Sequence, residues 1–219
     1  MEQSSNKGLL IGTIVVAVLI FLGLIWAVLS VPNDGGTTPL PSGQVSFNDE
    51  NDPSIGPDDA KVVVRLFEDL ECPACKAAEP GVSYAIEKYS DRVRFIWNDF
   101  PLDSIHRNAR AGANAARCAE EQGKFWEYKS LLYSEQGSWV DRADPTESFA
   151  AYASQLQLNT DDFRACYKER RYDAKINADV REAGQNHINS TPTIFINDVM
   201  HHGLSPTEWD TVLTDALAQ

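Results

Sequence analysis

Basic residues are few in this chain: 19 Lys and Arg stand against 32 Asp and Glu, for a formal net charge of -13. Nucleic acid is bound through basic patches, so this balance argues against such a partner. Cysteine is sparse too. Four in 219 residues are too few for a disulfide scaffold, yet they allow two pairs in an oxidising compartment. No repeat is evident, and no nucleophile-elbow sequence suggests Ser-His-Asp catalysis. Asp49, Glu50, Asp52, Asp58 and Asp59 lack the ligand order and glycine of an EF-hand and read as a solvated acidic linker. A hydrophobic fraction of 43% supports a substantial core and excludes a wholly disordered chain.

Charge is absent from residues 8–33. Within that run, Leu9–Leu29 matches the roughly 20 residues that cross a hydrocarbon layer. Lys7 before it and Asp34 after it favour an N-terminus inside the cell. A cleaved signal peptide is the competing reading. Its apolar region would be about 7–15 residues, and Val28-Leu29-Ser30 is a poor cleavage site. Both readings put the remainder outside the cytoplasm. We expect a cytoplasmic tip and transmembrane anchor over residues 1–30, single-pass in the cell membrane. A flexible linker rich in Pro, Gly, Asn, Asp, Ser and Thr follows over 31–57. The extracytoplasmic folded domain is expected over 58–219.

The stretch with the most chemistry is Cys72-Pro73-Ala74-Cys75. It follows an apolar run, Val62–Phe67, that reads as a buried strand. It opens a segment whose Ala78, Val82, Ala85, Ile86 and Tyr89 share one helical face. Residues i and i+3 lie on the same side of a helix, so the two sulfurs can approach. Pro73 suits the first turn, where its missing N–H costs no bond. Cys72 then sits among unpaired N–H groups at the positive end of the dipole, which stabilise a thiolate. Cys75 lies deeper and is the less accessible partner. A structural disulfide or half a zinc site is the alternative use of C-x-x-C.

Further along, Val93–Trp97 reads as a second strand, with Phe100-Pro101-Leu102 turning out of it. Strand, helix and strand suggest a βαβ unit. Helical patterns then cover His106–Gln122, Lys124–Glu135, Asp141–Leu158 and Thr160–Ala183, a helical insertion at about 104–185 between two halves of a sheet. Thr193–Ile196 resumes the sheet. Asn197-Asp198 turns it into Val199–His201. Ser205-Pro206-Thr207-Glu208 is a capping box that starts a last helix to about Leu217.

Taken together, these parts resemble the membrane-anchored DsbA-like thiol–disulfide oxidoreductases of the BdbD type, over roughly residues 45–219. The resemblance rests on Phe67 to Cys75, Phe100-Pro101-Leu102 with His106 and Ala109, and Arg117-Cys118-Ala119. It continues through Gln122 to Trp126 and Thr191-Pro192-Thr193. It implies an α/β thioredoxin fold with an inserted helical domain, and a cis Pro192 whose loop faces Cys72 and Cys75. Thr191 would offer backbone groups to a bound peptide, and Pro73, Ala74 and Pro192 would line that site. One departure stands out. Many relatives place a buried acid six positions before the first cysteine, where this chain has Leu66. Glu68, Asp69 and Glu71 are near, but none is at that place, so the proton acceptor for Cys75 is unassigned. The dipeptide also lacks the histidine of the most oxidising relatives, which predicts a weaker oxidant.

Cys118 and Cys166 both fall in the helical block and are expected to staple two helices by a structural disulfide. Two buried free thiols or a second redox pair are the alternatives. A zinc site built from all four cysteines has no close ligand spacing in its second half. His106 is expected to cap or pack at a helix start. His187, His201 and His202 have no assigned role, and Phe125 and Trp126 read as core. The expected function is oxidation of reduced or unfolded exported proteins by disulfide exchange, with no cofactor beyond the Cys72–Cys75 disulfide and no metal. Re-oxidation by a quinone-linked membrane partner of the DsbB or VKOR type follows from the resemblance. A reductase or isomerase, or a tethered peptide-binding module without turnover, are the competing functions.

Overall fold

The computed structural model describes Phe21, Thr38–Pro39 and residues 45–219. The expected membrane span lies outside the described residues apart from Phe21, which is helical, and so does the linker up to residue 44 apart from Thr38–Pro39. Among the described residues no helix is long and apolar enough to cross a membrane. The chain divides into residues 1–35 and 36–219, and the second unit holds the sheet and its helices.

The sheet is built from β1 (Thr38–Pro39), β2 (Ser54–Ile55), β3 (Val62–Glu68), β4 (Val93–Asp99), β5 (Thr193–Ile196) and β6 (Val199–His201), in the order β1-β6-β5-β3-β4-β2. β3 is central. It pairs in parallel with β4 and antiparallel with β5, so Leu66 stands opposite both Trp97 and Ile194. Strands covered on both faces read as near-continuous apolar runs, as β3 and β4 do. Helix α1 (Pro73–Tyr89) makes the crossover from β3 to β4. Between β4 and β5 stands the helical insertion: α2 (Ala109–Glu120), α3 (Phe125–Ser134), α4 (Gln136–Trp139), α5 (Thr146–Gln155), α6 (Thr160–Glu169) and α7 (Asp173–Gln185). Helix α8 (Pro206–Leu217) opens with the Ser205/Glu208 capping box and packs on α1. The approach is close at Gly81, where a Cβ would lie 2.7 Å from the Leu204 carbonyl oxygen and 3.3 Å from the Trp209 ring.

Several boundaries differ from the sequence reading, among them the helix expected from Asp141, which begins at Thr146. His106 precedes α2 rather than starting it, because Asn108 is the N-cap. The helical pattern over Thr160–Ala183 is broken at Arg170, which closes α6 in the left-handed conformation (φ 51°). Neither Gly nor Pro marks that break. The linker is also shorter than its composition suggests. Ser46 N donates to Asn186 Oδ1 at 3.0 Å, and Asp49 takes a two-pronged contact from Arg65, both bonds 2.7 Å. Phe47 packs edge-on against Phe195 at 5.0 Å. Asp52, read as solvated, is buried and receives Arg117 Nη2 at 2.8 Å. Residues 45–57 thus belong to the folded unit.

Cys118 and Cys166 are bonded, with Cα atoms 5.8 Å apart, and join α2 to α6 across a sequence separation of 48. Closing a loop of that length stabilises the fold by about 2–4 kcal/mol.

Candidate active site

The two remaining cysteines are free thiols at the junction of β3 and α1. Cys72 is the N-cap of α1 in extended backbone conformation, with Pro73 in the first turn. Its N–H donates to the Asp69 carbonyl at 3.0 Å, and its own carbonyl accepts Gln136 Nε2 at 3.1 Å and Lys76 N at 3.1 Å. Gln136 also donates to the Leu70 carbonyl at 3.0 Å, so one amide from the insertion braces the turn. Cys72 is 7% exposed and Cys75 fully buried.

Across from this turn the Thr191–Pro192 peptide bond is cis. It places the Thr191 carbonyl oxygen 3.7 Å from Cys72 Sγ. Thus Cys72, Cys75, Thr191 and Pro192 converge, with Pro73 and Ala74 both exposed in the first turn of α1. His187, His201 and His202 are not part of this cluster. His201 is buried on β6, where burial holds its imidazole below the ordinary value. Among the described residues no group of three His, Cys, Asp or Glu side chains is placed to hold a metal ion.

The sulfurs differ sharply in acidity. The hydrogen bond from the Cys75 thiol is the largest influence on Cys72. It overcomes burial and, with the Thr191 side chain and the N–H groups of Cys75 and Ala74, brings the Cys72 thiol down to about 5. Cys75 moves the other way. Burial comes first, then its bond to Cys72 and the charge of Glu68, and together they raise it well above the ordinary thiol value. Near neutral pH the pair therefore holds one thiolate at the N-terminus of α1 and one thiol deeper in the core.

A buried acid stands near the position that Leu66 leaves empty: Glu68, whose charge acts on Cys75. Side chains two apart on a strand share a face, so an acid at 68 points to the same side as residue 66, one pleat closer to the cysteines. It is 1% exposed, and its Oε2 accepts the Tyr133 hydroxyl at 2.7 Å. Its Oε1 has no protein partner. Burial, partly offset by Lys129, carries this carboxyl up to about 7. Lys129 is itself buried. It is bonded to Glu79 and lies 5.5–5.6 Å from the ring centroids of Trp97, Trp126 and Tyr133. Glu79 also accepts Ser130 Oγ at 2.7 Å and Ser83 Oγ at 3.0 Å. Counting positions back from Cys72 does not find Glu68; the two-residue period of β3 does.

A dithiol at a helix start beside a cis-proline loop, on a sheet with a helical insertion, defines a thioredoxin-fold redox protein as a class. Residues 48–215 match the family model described as Thioredoxin, and the chain belongs to that family. The fold is shared with BdbD from Bacillus subtilis in its oxidised form, at TM-score 0.69 and 21% identity, over 85% of this chain and 100% of that one. Among curated proteins, the probable disulfide bond formation protein D of Bacillus anthracis is 26% identical over 201 residues, 89% of this chain and 90% of that protein. A protein of Salinispora tropica named Na(+)/H(+) antiporter NhaA 3 is 38% identical over 159 residues, 73% of this chain. The chain covers only 24% of that antiporter's length.

Proposed function

We propose that this chain is a DsbA-type thiol–disulfide oxidoreductase that introduces disulfides into exported proteins. It would work outside the cytoplasm from a membrane anchor at residues 1–30. The observation that carries this reading is the placement of Cys72 at the N-terminus of α1, facing the cis Thr191–Pro192 loop, with Cys75 fully buried behind it. A stable Cys72 thiolate favours the dithiol form, and a disulfide whose reduced form is favoured is an oxidant. The antiporter activity in the Salinispora name does not enter, because the shared stretch is a quarter of that protein.

In the oxidised enzyme a client thiolate attacks Cys72 Sγ, and the Cys72–Cys75 bond breaks. Client sulfur is then joined to Cys72, and the electron pair leaves on Cys75. Glu68, poised near neutrality, gives its proton to that sulfur. A second client thiolate attacks the client sulfur of the mixed disulfide and expels Cys72 as its stable thiolate. The client has lost two electrons and the enzyme has gained them. Thr191 and Pro192 hold the client backbone beside Cys72, as an added strand would. Re-oxidation by a quinone-linked membrane partner of the DsbB or VKOR type removes the two electrons, with the Glu68 carboxylate taking the proton back from Cys75.

Cys72→Ser tests the reading. Oxidation of a reduced exported protein should vanish in that variant, and the wild-type pair should rest as a disulfide in cells. A resting dithiol would make the protein a reductase or isomerase; undiminished function in Cys72→Ser would leave only a peptide-binding module. Glu68→Gln tests the proton step. Turnover should fall about a hundredfold or more, as for a lost proton-transfer group, while Cys72 alkylation by a small reagent is nearly unchanged. The rise in the re-oxidation rate as pH passes through about 7, where Glu68 ionises, should disappear.

A further inference from the structure

The loop from Leu102 to Asn108 leaves β4 and passes beside the Cys72 turn, tied to it through two acids. Asp69 is the hub. Its buried carboxylate accepts Glu71 N at 2.7 Å on Oδ1 and Leu102 N at 2.8 Å on Oδ2. The same Oδ2 lies 2.7 Å from His106 Nδ1, while the Asp69 carbonyl accepts Cys72 N at 3.0 Å. One residue therefore links the imidazole to the backbone of the reactive sulfur. Glu71 Oε2 accepts Asn108 N at 2.6 Å and pins the loop a second time. The His106 side chain keeps 15% of its surface exposed.

The charges around this imidazole are mostly negative. The Cys72 turn contributes Asp69, Glu71 and the Cys72 thiolate, and beyond α4 Asp141 acts on Glu71. On its own loop Asp103 is taken up by Arg110 at 2.6 Å, and Arg107 is exposed. Burial works against a charged imidazole. The bond to Asp69, then the charges of Asp69, Cys72 and Glu71, outweigh it and raise His106 above the ordinary value.

We propose that the Asp69–His106 pair supplies from a neighbouring loop the titratable positive charge that Pro73-Ala74 does not carry, and that its protonation strengthens the Cys72 thiolate. His106 is a positioning residue here: it acts on Cys72 and touches no client. The inference rests on the reading of Cys72 as the reactive sulfur. It also bears on the weak oxidant expected from the dipeptide, because a protonated His106 cancels the Asp69 charge that otherwise stands beside the Cys72 turn. Asp69 fixes the ring, so the charge is held rather than free to swing away.

Coupling of this kind is reciprocal, which gives two measurements on the full-length chain. The first follows the His106 ring proton by NMR through a pH titration, in the dithiol and in the disulfide forms. Oxidation removes the thiolate, so the His106 pKa should drop by about half a unit to one unit. The second compares His106→Asn, which retains a donor for Asp69, with His106→Lys, whose charge is fixed across the range. Cys72 thiolate absorbance should titrate about half a unit to one unit higher in the Asn variant and near wild type in the Lys variant. The equilibrium constant for reduction of the disulfide by two glutathione thiols, which yields glutathione disulfide, should fall about threefold to tenfold in the Asn variant. Identical His106 titration in the two redox states overturns the proposal. So does a His106→Asn protein whose thiolate pKa and equilibrium constant match wild type. Should His106→Asn fail to fold, the NMR comparison on the wild-type chain decides alone. A protein that shows these shifts but oxidises no client would sink the oxidase reading and leave this one standing.

Discussion

Cys75→Ser is expected to convert a short-lived mixed disulfide into a stable adduct, visible as bands on a non-reducing gel that collapse with reductant. The reason lies in where Cys75 sits. It is fully buried in the first turn of α1, beside the Cys72 sulfur, so its attack on a mixed disulfide is intramolecular. Held thiols of this sort act at effective concentrations far above any thiol in solution. Removing Cys75 closes that return route, and adduct lifetimes should lengthen by about a hundredfold or more. Cys72 keeps its helix position and the Ala74 N–H, so it remains a nucleophile. It loses its largest stabilising partner, and its pKa should move up in the variant. Mass spectrometry of the trapped bands would name the clients and the re-oxidising partner together. No trapped species in Cys75→Ser, with the variant folded, would count against exchange chemistry at Cys72. Adducts persisting in the Cys72→Ser/Cys75→Ser double variant would show that they form elsewhere.

The second large effect concerns stability. Arg117→Ala should cost about 3–5 kcal/mol, because removing one partner of a buried ionic network leaves the others uncompensated. Arg117 is fully buried. It donates to Asp99 Oδ2 at 2.6 Å, Asp52 Oδ1 at 2.8 Å, Asp179 Oδ2 at 2.9 Å and the Asn51 carbonyl at 2.8 Å. This single guanidinium joins β4, α2, α7 and the ordered start of the domain. Lys175 is the other cation in reach of Asp52 and Asp179. The pH dependence has a definite sign. Burial, reinforced by Asp99 and Asp52, raises Asp179 to about 7, and burial likewise raises Glu120 to about 7. A carboxyl raised on folding binds its proton more tightly in the native state. Its contribution to stability is complete below the unfolded value and is lost as pH rises through about 7. The wild-type disulfide form, in which Cys72 does not titrate, should therefore lose stability between pH 5 and pH 8. The loss in Arg117→Ala should be larger at pH 8 than at pH 5, where protonation relieves the carboxylates. Chemical denaturation at the two pH values measures both effects. A penalty equal at both would show that the carboxylates are not the source.

Much of this site could be read from the chain because its parts are local. A Pro after Cys72, a helical face beyond Cys75 and a run of buried β residues before them are all short-range signals. The Thr191-Pro192 loop came from resemblance, since neither periodicity nor spacing distinguishes cis from trans. What escaped was set by tertiary packing. Lys129 and Tyr133 lie in an ordinary amphipathic segment, and nothing local shows that their polar ends turn inward to Glu79 and Glu68. Residues 45–52 have the composition of a tether. Their order comes from Arg65, Arg117 and Asn186, far away in the chain. Arg170 ends α6 in the left-handed conformation with no breaker residue to announce it, its N–H turned back to the Cys166 and Tyr167 carbonyls.

Glu68 hangs from Tyr133, and Lys129 partly offsets the burial of its carboxylate; both belong to α3 of the insertion. Gln136 of α4 braces the cysteine turn. A chimaera that grafts only the strand-to-helix segment onto a minimal scaffold would keep both sulfurs and strip the acid of its neighbours. The portable unit is therefore the cysteine motif together with the two helices that follow α2.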